Sequence, residues 1–299
     1  MNCMICGSGN IETRDTEISD FVMARIDSGF EEKRENIKTK LCFCRECTFA
    51  FYDYRFSPRE EALLYRNYRD EEYQKTREKY ECWYTKKVNQ AINTGNIKQQ
   101  QYLIRKVLAE NKFSVFQWAL DYGGNQGATF YHELGTQSQY VFDISGVQPL
   151  PGIKSIQSFD ELLQHHYDFI MCNMVFEHLT DPYEVMRKLY MLGDDDTVYY
   201  IEVPSENPFI NGNKFSILKN LSLLLDRNYS WIRLLRYYLQ QKHQAFMPMK
   251  EHINFFTPRS IRTMAEKGGF SVIDIQENPI GNSTVLSMVF RKGLSSSVD

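Results

Sequence analysis

Asp121-Tyr-Gly-Gly-Asn-Gln-Gly127 follows the apolar run at 116–120 and precedes a stretch with helical character that starts at Ala128. An acid, Asp143, closes the next β-forming stretch. The order strand, glycine-rich turn, helix, strand, acid is that of a nucleoside pocket. Gly123 and Gly124 let the backbone turn sharply and approach a ligand with no Cβ in the way. Gly127 lets the helix predicted over 128–134 start close to the sheet. Asn125 stands where a further glycine is often found, and Asn is the next residue most able to take a left-handed conformation. Asp143, about 20 residues past the first glycine, suits the two hydroxyls of a ribose.

Two cofactor classes share this logic. A pyrophosphate needs the pattern G-x-G-x-x-G so that the backbone can cradle it. Here the middle glycine is missing and a carboxylate, Asp121, stands at the entrance to the loop. That group is badly placed for a pyrophosphate and well placed for the ammonium of a methionine moiety, so the turn predicts S-adenosylmethionine. The alternation continues, with a first strand over 115–121 and a second over 140–143, and implies an α/β fold whose mostly parallel sheet is covered on both faces. Ligands of such sheets lie beyond the carboxyl ends of the strands. Asp121, Asp143, Gln157-Ser158-Phe159, Asn173 and Pro204 are thereby gathered on one rim, and Asn173, ending an apolar strand, is a candidate for the amino-acid end of the cofactor.

Five further blocks carry a resemblance. Tyr167-Asp-Phe-Ile-Met-Cys-Asn173 with Val175-Phe-Glu-His-Leu-Thr-Asp-Pro182, then Val198-Tyr-Tyr-Ile-Glu-Val-Pro204, resemble the fourth strand, its loop and the fifth strand of class I S-adenosylmethionine-dependent methyltransferases. Glu251-His-Ile-Asn-Phe-Phe-Thr257 and Lys267-Gly-Gly-Phe270 look like the late segment of the group that begins with a zinc-binding domain. That group includes sugar C-methyltransferases and relatives in polysaccharide biosynthesis. The resemblance implies a Rossmann-like methyltransferase sheet, with Gln157, Ser158 and Phe159 bordering the adenine.

The N-terminus supplies the cysteines. Cys3-x-x-Cys6 and Cys44-x-x-Cys47 form two knuckles able to present four thiolates to one Zn2+, and a closed four-thiolate site is structural rather than catalytic. Cys42 is an alternative ligand of worse spacing. Cys82 and Cys172 are isolated and read as small buried apolar residues. Between the knuckles the sequence predicts weak strands only. Ser57-Pro58 is a helix start, with Ser as cap and Pro at the first position, and 97–110 reads as an amphipathic helix. These signals divide the chain into a zinc-binding domain at 1–57, a helical linker or cap at 58–112, and a methyltransferase domain at 113–299 with a helical insertion at 207–250.

The run 63–84 is dense in Tyr, Arg and Glu. Aromatic faces and fixed polar donors suit a sugar, whose C–H faces stack while its hydroxyls hydrogen-bond. A solvated helix whose tyrosines pack on the core is the plainer reading. By analogy with the family, Tyr73 and Arg77 are the expected substrate contacts. A hydroxyl acceptor is a poor nucleophile and gains from a base within hydrogen-bond reach. The pair matching Glu251-His252 is catalytic in the resembled group, which points to His252 as base with Glu251 orienting or charging it, and His178 resembles a second active-site histidine. His132 falls on the helix predicted over 128–134. The tyrosine that those C-methyltransferases place before the Glu-His pair is absent, since Met247-Pro-Met-Lys250 occupies the stretch, and their large C-terminal domain is not expected here. O-methylation of a sugar is therefore expected ahead of C-methylation of a nucleotide-linked ketosugar, with an NAD-type oxidoreductase and a non-enzymatic zinc module as weaker alternatives.

The 299 residues suffice for a large core, and a net charge of −3 gives no reason to expect nucleic acid as a partner. The first residues lack the basic start and long apolar run of a signal peptide, and no stretch approaches the roughly 18 apolar residues of a membrane span. The expected location is the cytoplasm. In 207–250, seven Lys or Arg alternate with leucines and aromatics against the single acid Asp226. Such a segment can lie on the inner face of a membrane, cover an anionic acceptor (a nucleotide-linked, lipid-linked or polymeric sugar), or pack as a lid.

Overall fold

Three antiparallel strands near the N-terminus, β1 (Ile11–Glu17), β2 (Lys38–Cys44) and β3 (Ala50–Tyr52), carry the cysteine knuckles at one end. The structure is a computed structural model and describes residues 1–29, 34, 37–94, 97–210, 247–281 and 283–293. Most of the predicted insertion, 211–246, lies outside the described residues. Between β1 and β2 the chain also forms helix α1 (Asp20–Ile26), where only strands were expected. Ser19 caps it by accepting from the Val22 amide, and Phe21, Val22, Met23 and Ile26 are buried.

Helices α2 (Pro58–Tyr65), α3 (Glu71–Tyr80), α4 (Lys86–Thr94) and α5 (Ile97–Glu110) follow. The start of α2 is the one predicted, and it carries a reciprocal capping box: Ser57 accepts from the Glu60 amide while Glu60 accepts from the Ser57 amide. Helix α5 has the predicted bounds and buries Leu103, Ile104, Val107 and Leu108.

The main sheet has seven strands. Five run parallel: β4 (Phe116–Tyr122), β5 (Leu134–Phe142), β6 (Ile153–Ile156), β7 (Phe169–Asn173) and β8 (Val198–Pro204). After β9 (Asn254–Phe255), the hairpin of β10 (Phe270–Ile280) and β11 (Ser283–Lys292) completes the sheet, antiparallel, in the order β10-β11-β8-β7-β4-β5-β6. Strand order reverses between β4 and β7, and the crevice beyond the carboxyl ends of the strands at such a reversal is where ligands of these sheets bind. Leu103, Ile104, Val107 and Leu108 of α5 pack with one apolar cluster of the sheet. Helices α7 (Pro182–Leu192) and α8 (Pro258–Lys267) pack with the other, through Val185, Met186, Leu189, Ile261 and Met264. The short α6 (Phe159–Leu162) lies after β6.

The helix predicted over 128–134 does not form. Turns occupy the stretch, with Phe130 N–H on the Gly127 carbonyl and Leu134 N–H on that of Tyr131, and β5 begins at Leu134, earlier than the strand expected over 140–143. His132 accordingly stands on a turn and not on a helix. The stretch is short and rich in Thr, aromatics and His, which gain little from a helix. The close approach at Gly127 holds all the same, because a Cβ there would lie 2.6 Å from Ile153 Cδ1.

Strand β9 belongs to the other sheet, where it pairs antiparallel with β3 (Ala50 with Phe255, Phe51 with Asn254). The N-terminal sheet thus has the order β1-β2-β3-β9 and takes its last strand from the segment that follows His252.

Candidate active site

The glycine turn leaves β4 with a left-handed residue. Gly123 has φ +79, its amide donates to the Phe142 carbonyl at 2.7 Å, and a Cβ there would lie 2.6 Å from Val175 Cγ2. Asn125 is left-handed as expected, with φ +52. Beside the turn, Asp121 is 1% exposed, and its Oδ2 accepts from the Thr129 hydroxyl at 2.9 Å. Its other oxygen is buried with no partner. Burial, with the neighbouring Asp143 carboxylate adding to it, pushes the Asp121 carboxyl up to about 7. Asp143 accepts from the Asn125 amide and the Ser145 amide, each at 2.8 Å, and so ties the turn to the end of β5.

Asn173 ends β7 on the same rim, and both polar atoms of its side chain are buried without a partner. A buried donor or acceptor left unmade costs roughly 1–3 kcal/mol, so the Asp121 oxygen and the Asn173 amide mark where a polar ligand belongs. Their chemistry, an acceptor and an amide beside a glycine turn, fits the charged amino-acid end of the expected cofactor. Gln157, Ser158 and Phe159 lie beyond β6. The Gln157 amide donates to Glu161 at 2.9 Å, Ser158 caps α6, and Phe159 is its first residue.

After β7 the chain makes a turn that the late segment grips. The Glu177 carbonyl accepts from Ile253 N–H at 2.8 Å and Asn254 N–H at 3.0 Å, while the Asn254 amide donates to the Phe176 and Leu179 carbonyls. This brings His178 and His252 together, with ring centroids 4.7 Å apart and planes at 77°. His178 Nδ1 lies 3.0 Å from the Glu251 carbonyl, which can only accept, so Nδ1 carries the proton. The Tyr65 hydroxyl is 3.1 Å from the same nitrogen, and Tyr65 packs edge-on to Tyr68. His252 Nδ1 pairs with the Glu206 carboxylate. Burial alone would depress His252, but Glu206 outweighs it and the imidazole is raised to about 9. His178 is held well below the ordinary value by burial and by the charge on His252. Glu177 is 1% exposed, both its carboxylate oxygens lack hydrogen-bond partners, and burial raises it to about 7.

The ring of His252 is held by Glu206 and not by Glu251, whose expected charging role survives only as a smaller contribution to the raised imidazole. The Glu251 carboxylate turns the other way, accepting from the Tyr73 hydroxyl and pairing with Arg77 Nη1 at 2.7 Å. Arg77 also pairs with Glu81 at 2.8 Å, and Lys250 reaches Glu81 at 2.5 Å. Tyr73 is wholly buried and Arg77 nearly so, with its guanidinium 4.1 Å from the centre of the Tyr84 ring. The two residues expected at the substrate therefore stand as the partners of Glu251.

A family model described as a methyltransferase domain matches residues 97–275. The chain belongs to that methyltransferase family. No curated protein matches the sequence. Among solved structures, a S-adenosylmethionine-dependent methyltransferase from Clostridium acetobutylicum is 12% identical with a TM-score of 0.40, covering 66% of this chain and 92% of that one. The 1,6-didemethyltoxoflavin-N1-methyltransferase of Burkholderia thailandensis is 12% identical with a TM-score of 0.48, over 86% and 96% of the two chains. Magnesium protoporphyrin IX methyltransferase from Synechocystis is 13% identical with a TM-score of 0.42, over 69% and 87%. The enzyme is a S-adenosylmethionine-dependent methyltransferase of Rossmann-like fold.

The methyltransferase brings its two cysteine knuckles face to face. Cys3 Sγ lies 3.5 Å from Cys47 Sγ, Cys6 Sγ lies 3.4 Å from Cys44 Sγ, and all four sulfurs fall within 4.8 Å of one another. Tetrahedral zinc with bonds of about 2.3 Å requires thiolates just under about 4 Å apart, so the set fits that ion. Each knuckle is closed by a matching turn, Gly7 N–H on the Cys3 carbonyl and Thr48 N–H on the Cys44 carbonyl, both at 2.8 Å. Cys42 stays outside the set; its thiol meets Met1 Sδ at 3.3 Å, and burial pushes it up to about 11. Two residues of the centre had no signal in the sequence. Glu206 stands 46 residues before its histidine, and Tyr65 113 residues before His178.

Proposed function

We propose that the methyltransferase moves the methyl of S-adenosylmethionine to a hydroxyl of a sugar, nucleotide-linked, lipid-linked or polymeric, in polysaccharide or natural-product assembly. The observation that supports this reading most is the paired histidines 178 and 252, edge-on to each other at 4.7 Å beside Tyr65, with the buried Glu177 carboxylate at one side and the half-buried Glu206 at the other. Bound S-adenosylmethionine supplies an electrophilic methyl. Asp121 and Asn173 hold its amino-acid end, the backbone from Gly123 through Gly124 and Asn125 to Gly127 leaves it room, Asp143 takes the ribose, and Gln157, Ser158 and Phe159 border the adenine. Transfer to oxygen then needs the acceptor in line, where orientation alone is worth roughly 7–11 kcal/mol, and a group to manage the hydroxyl proton. That proton is managed at the centre that His178 and His252 build, and Glu251, Tyr73 and Arg77 set the position of the segment that carries His252.

The absence of a tyrosine in Met247-Pro-Met-Lys250 favours the ether product over C-methylation. Cys3, Cys6, Cys44 and Cys47 hold a structural zinc, and the enzyme works in the cytoplasm without nucleic acid, with residues 207–250 as its contact to an anionic acceptor or the membrane's inner face. No helix among the described residues is long and apolar enough to cross a membrane. The test is a screen of glycans and nucleotide sugars for release of S-adenosylhomocysteine, with the product examined for a C–O or C–C bond. His252→Ala should abolish turnover and leave cofactor affinity near wild type; full activity in that variant removes the histidine pair from the reaction.

A further inference from the structure

We propose that Glu177, His178 and His252 form a site for one divalent transition-metal ion, distinct from the four cysteines. One ligand atom from each of the three lies within 4.8 Å of the others. The rings present themselves as metal ligands do. A metal-bound histidine gives its other N–H to a carbonyl or carboxylate, which fixes tautomer and ring direction. His178 gives Nδ1 to the Glu251 carbonyl at 3.0 Å and His252 gives Nδ1 to the Glu206 carboxylate, so both rings are anchored at one nitrogen and open at Nε2. His178 Nε2 already faces Glu177 Oε1 at 3.9 Å.

The independent sign is Glu177. Its carboxylate is 1% exposed and neither oxygen has a hydrogen-bond partner. A buried carboxylate in that state is stabilised by a cation or by ligand donors, and the Lys, Arg or His nitrogen that lies within 4.0 Å of it among the described residues is His178 Nε2, which is aimed at it without a proton to give. Two nitrogens and one oxygen are the donor set of zinc, cobalt or manganese rather than of magnesium or calcium, which take oxygen. The two carboxylates, Glu177 directly and Glu206 through His252, offset the two positive charges of the ion, and the proton on His252 leaves as the ion enters. Three protein ligands leave one position of a four-coordinate ion open. The metal site does not rest on the sugar-hydroxyl reading above.

The test loads the full chain with zinc at the cysteines and then titrates Co2+. One further equivalent should bind and give a weak visible spectrum without the strong near-ultraviolet bands of cobalt thiolates. Glu177→Gln and His178→Ala should lose that equivalent, and Glu206→Gln should bind it about 10–100-fold more weakly. Each variant is checked for unchanged affinity for S-adenosylhomocysteine, which shows that it has folded. No cobalt beyond the cysteine site in the wild type, or an unchanged second equivalent in Glu177→Gln, overturns the proposal. Binding of cobalt together with no transfer to any sugar would keep the site and remove the sugar reading; transfer to a sugar by a chain that takes up no cobalt beyond the cysteines would keep the sugar reading and remove the site.

Discussion

A Cβ on residue 124 would lie 2.2 Å from the Cγ of Asp121, so Gly124 and the buried carboxylate share one space. Neither can change without moving the other. Gly124→Ala should push the Asp121 side chain off its hydrogen bond with Thr129 and weaken binding of S-adenosylhomocysteine at least about tenfold by calorimetry, with a loss of stability of about 1–3 kcal/mol from overpacking. Gly9→Ala, whose Cβ would meet only Asn2 Oδ1 at 3.5 Å, should leave both properties near wild type.

Asp121 links the pocket to stability with a definite sign. Its carboxyl stands at about 7 in the fold against an ordinary value of 3.8, because burial disfavours the charge. Between those values the folded protein holds a proton that the unfolded chain has released, so stability falls as pH rises from about 4 to about 7. The full effect is on the order of 4 kcal/mol. Asp121→Asn should therefore raise the melting temperature of the cofactor-free protein at pH 8 while weakening cofactor binding. A variant no more stable than wild type at that pH would remove the buried charge as the cause.

Glu251 is buried against Tyr73 and Arg77, and the two partners are not equivalent. Arg77→Ala leaves both Glu251 and Glu81 without their shared cation, and breaking a buried pair costs about 3–5 kcal/mol. Tyr73→Phe removes the hydroxyl that donates to Glu251 and accepts from Arg77 at 3.2 Å, but it leaves the Arg77–Glu251 pair in place, costs about 1.5–3 kcal/mol, and keeps the ring that packs on Phe21. Urea denaturation of the two variants should rank them in that order.

If the four cysteines hold zinc as proposed, Cys44→Ser should lower the zinc bound per chain and the melting temperature of the whole chain. Cys3, Cys44, Cys47, Phe49 and Phe51 share one apolar cluster with Leu120, Ile170 and Phe256, so loosening the knuckles loosens the sheet. Cys42→Ser should keep the metal, since that thiol faces Met1 and not the other four. Zinc per chain, measured on the two proteins, separates them.

The parts of the fold legible in the sequence were those set by a local demand. The Gly123 turn needed a left-handed residue, Ser57-Pro58 carried both a cap and a first-turn proline, and 97–110 had a clear apolar face. Helix α1 escaped because Phe21, Val22, Met23 and Ile26 are buried on several sides and show no contrast of period, although Ser19 before Asp20 was a usable cap signal. The helix expected over 128–134 was drawn from the customary sequence of elements, and its own residues resisted. At the site, the reactive side chains were visible as types, but their pairings were not. Glu251 stands next to His252 in the chain and points away from it, and Glu206, its true partner, arrives only through the fold.

Strand β9 sets how late in synthesis the N-terminal sheet can close. The edge of β3 at Ala50 and Phe51 is closed only by Asn254 and Phe255, some two hundred positions later. The cysteine sheet therefore stays open at one margin through most of synthesis and is sealed by the same stretch that delivers His252. A nascent chain cannot complete its first sheet before residues 254 and 255 arrive just after His252, so a product that stops short of 252 lacks the closing strand and that histidine together.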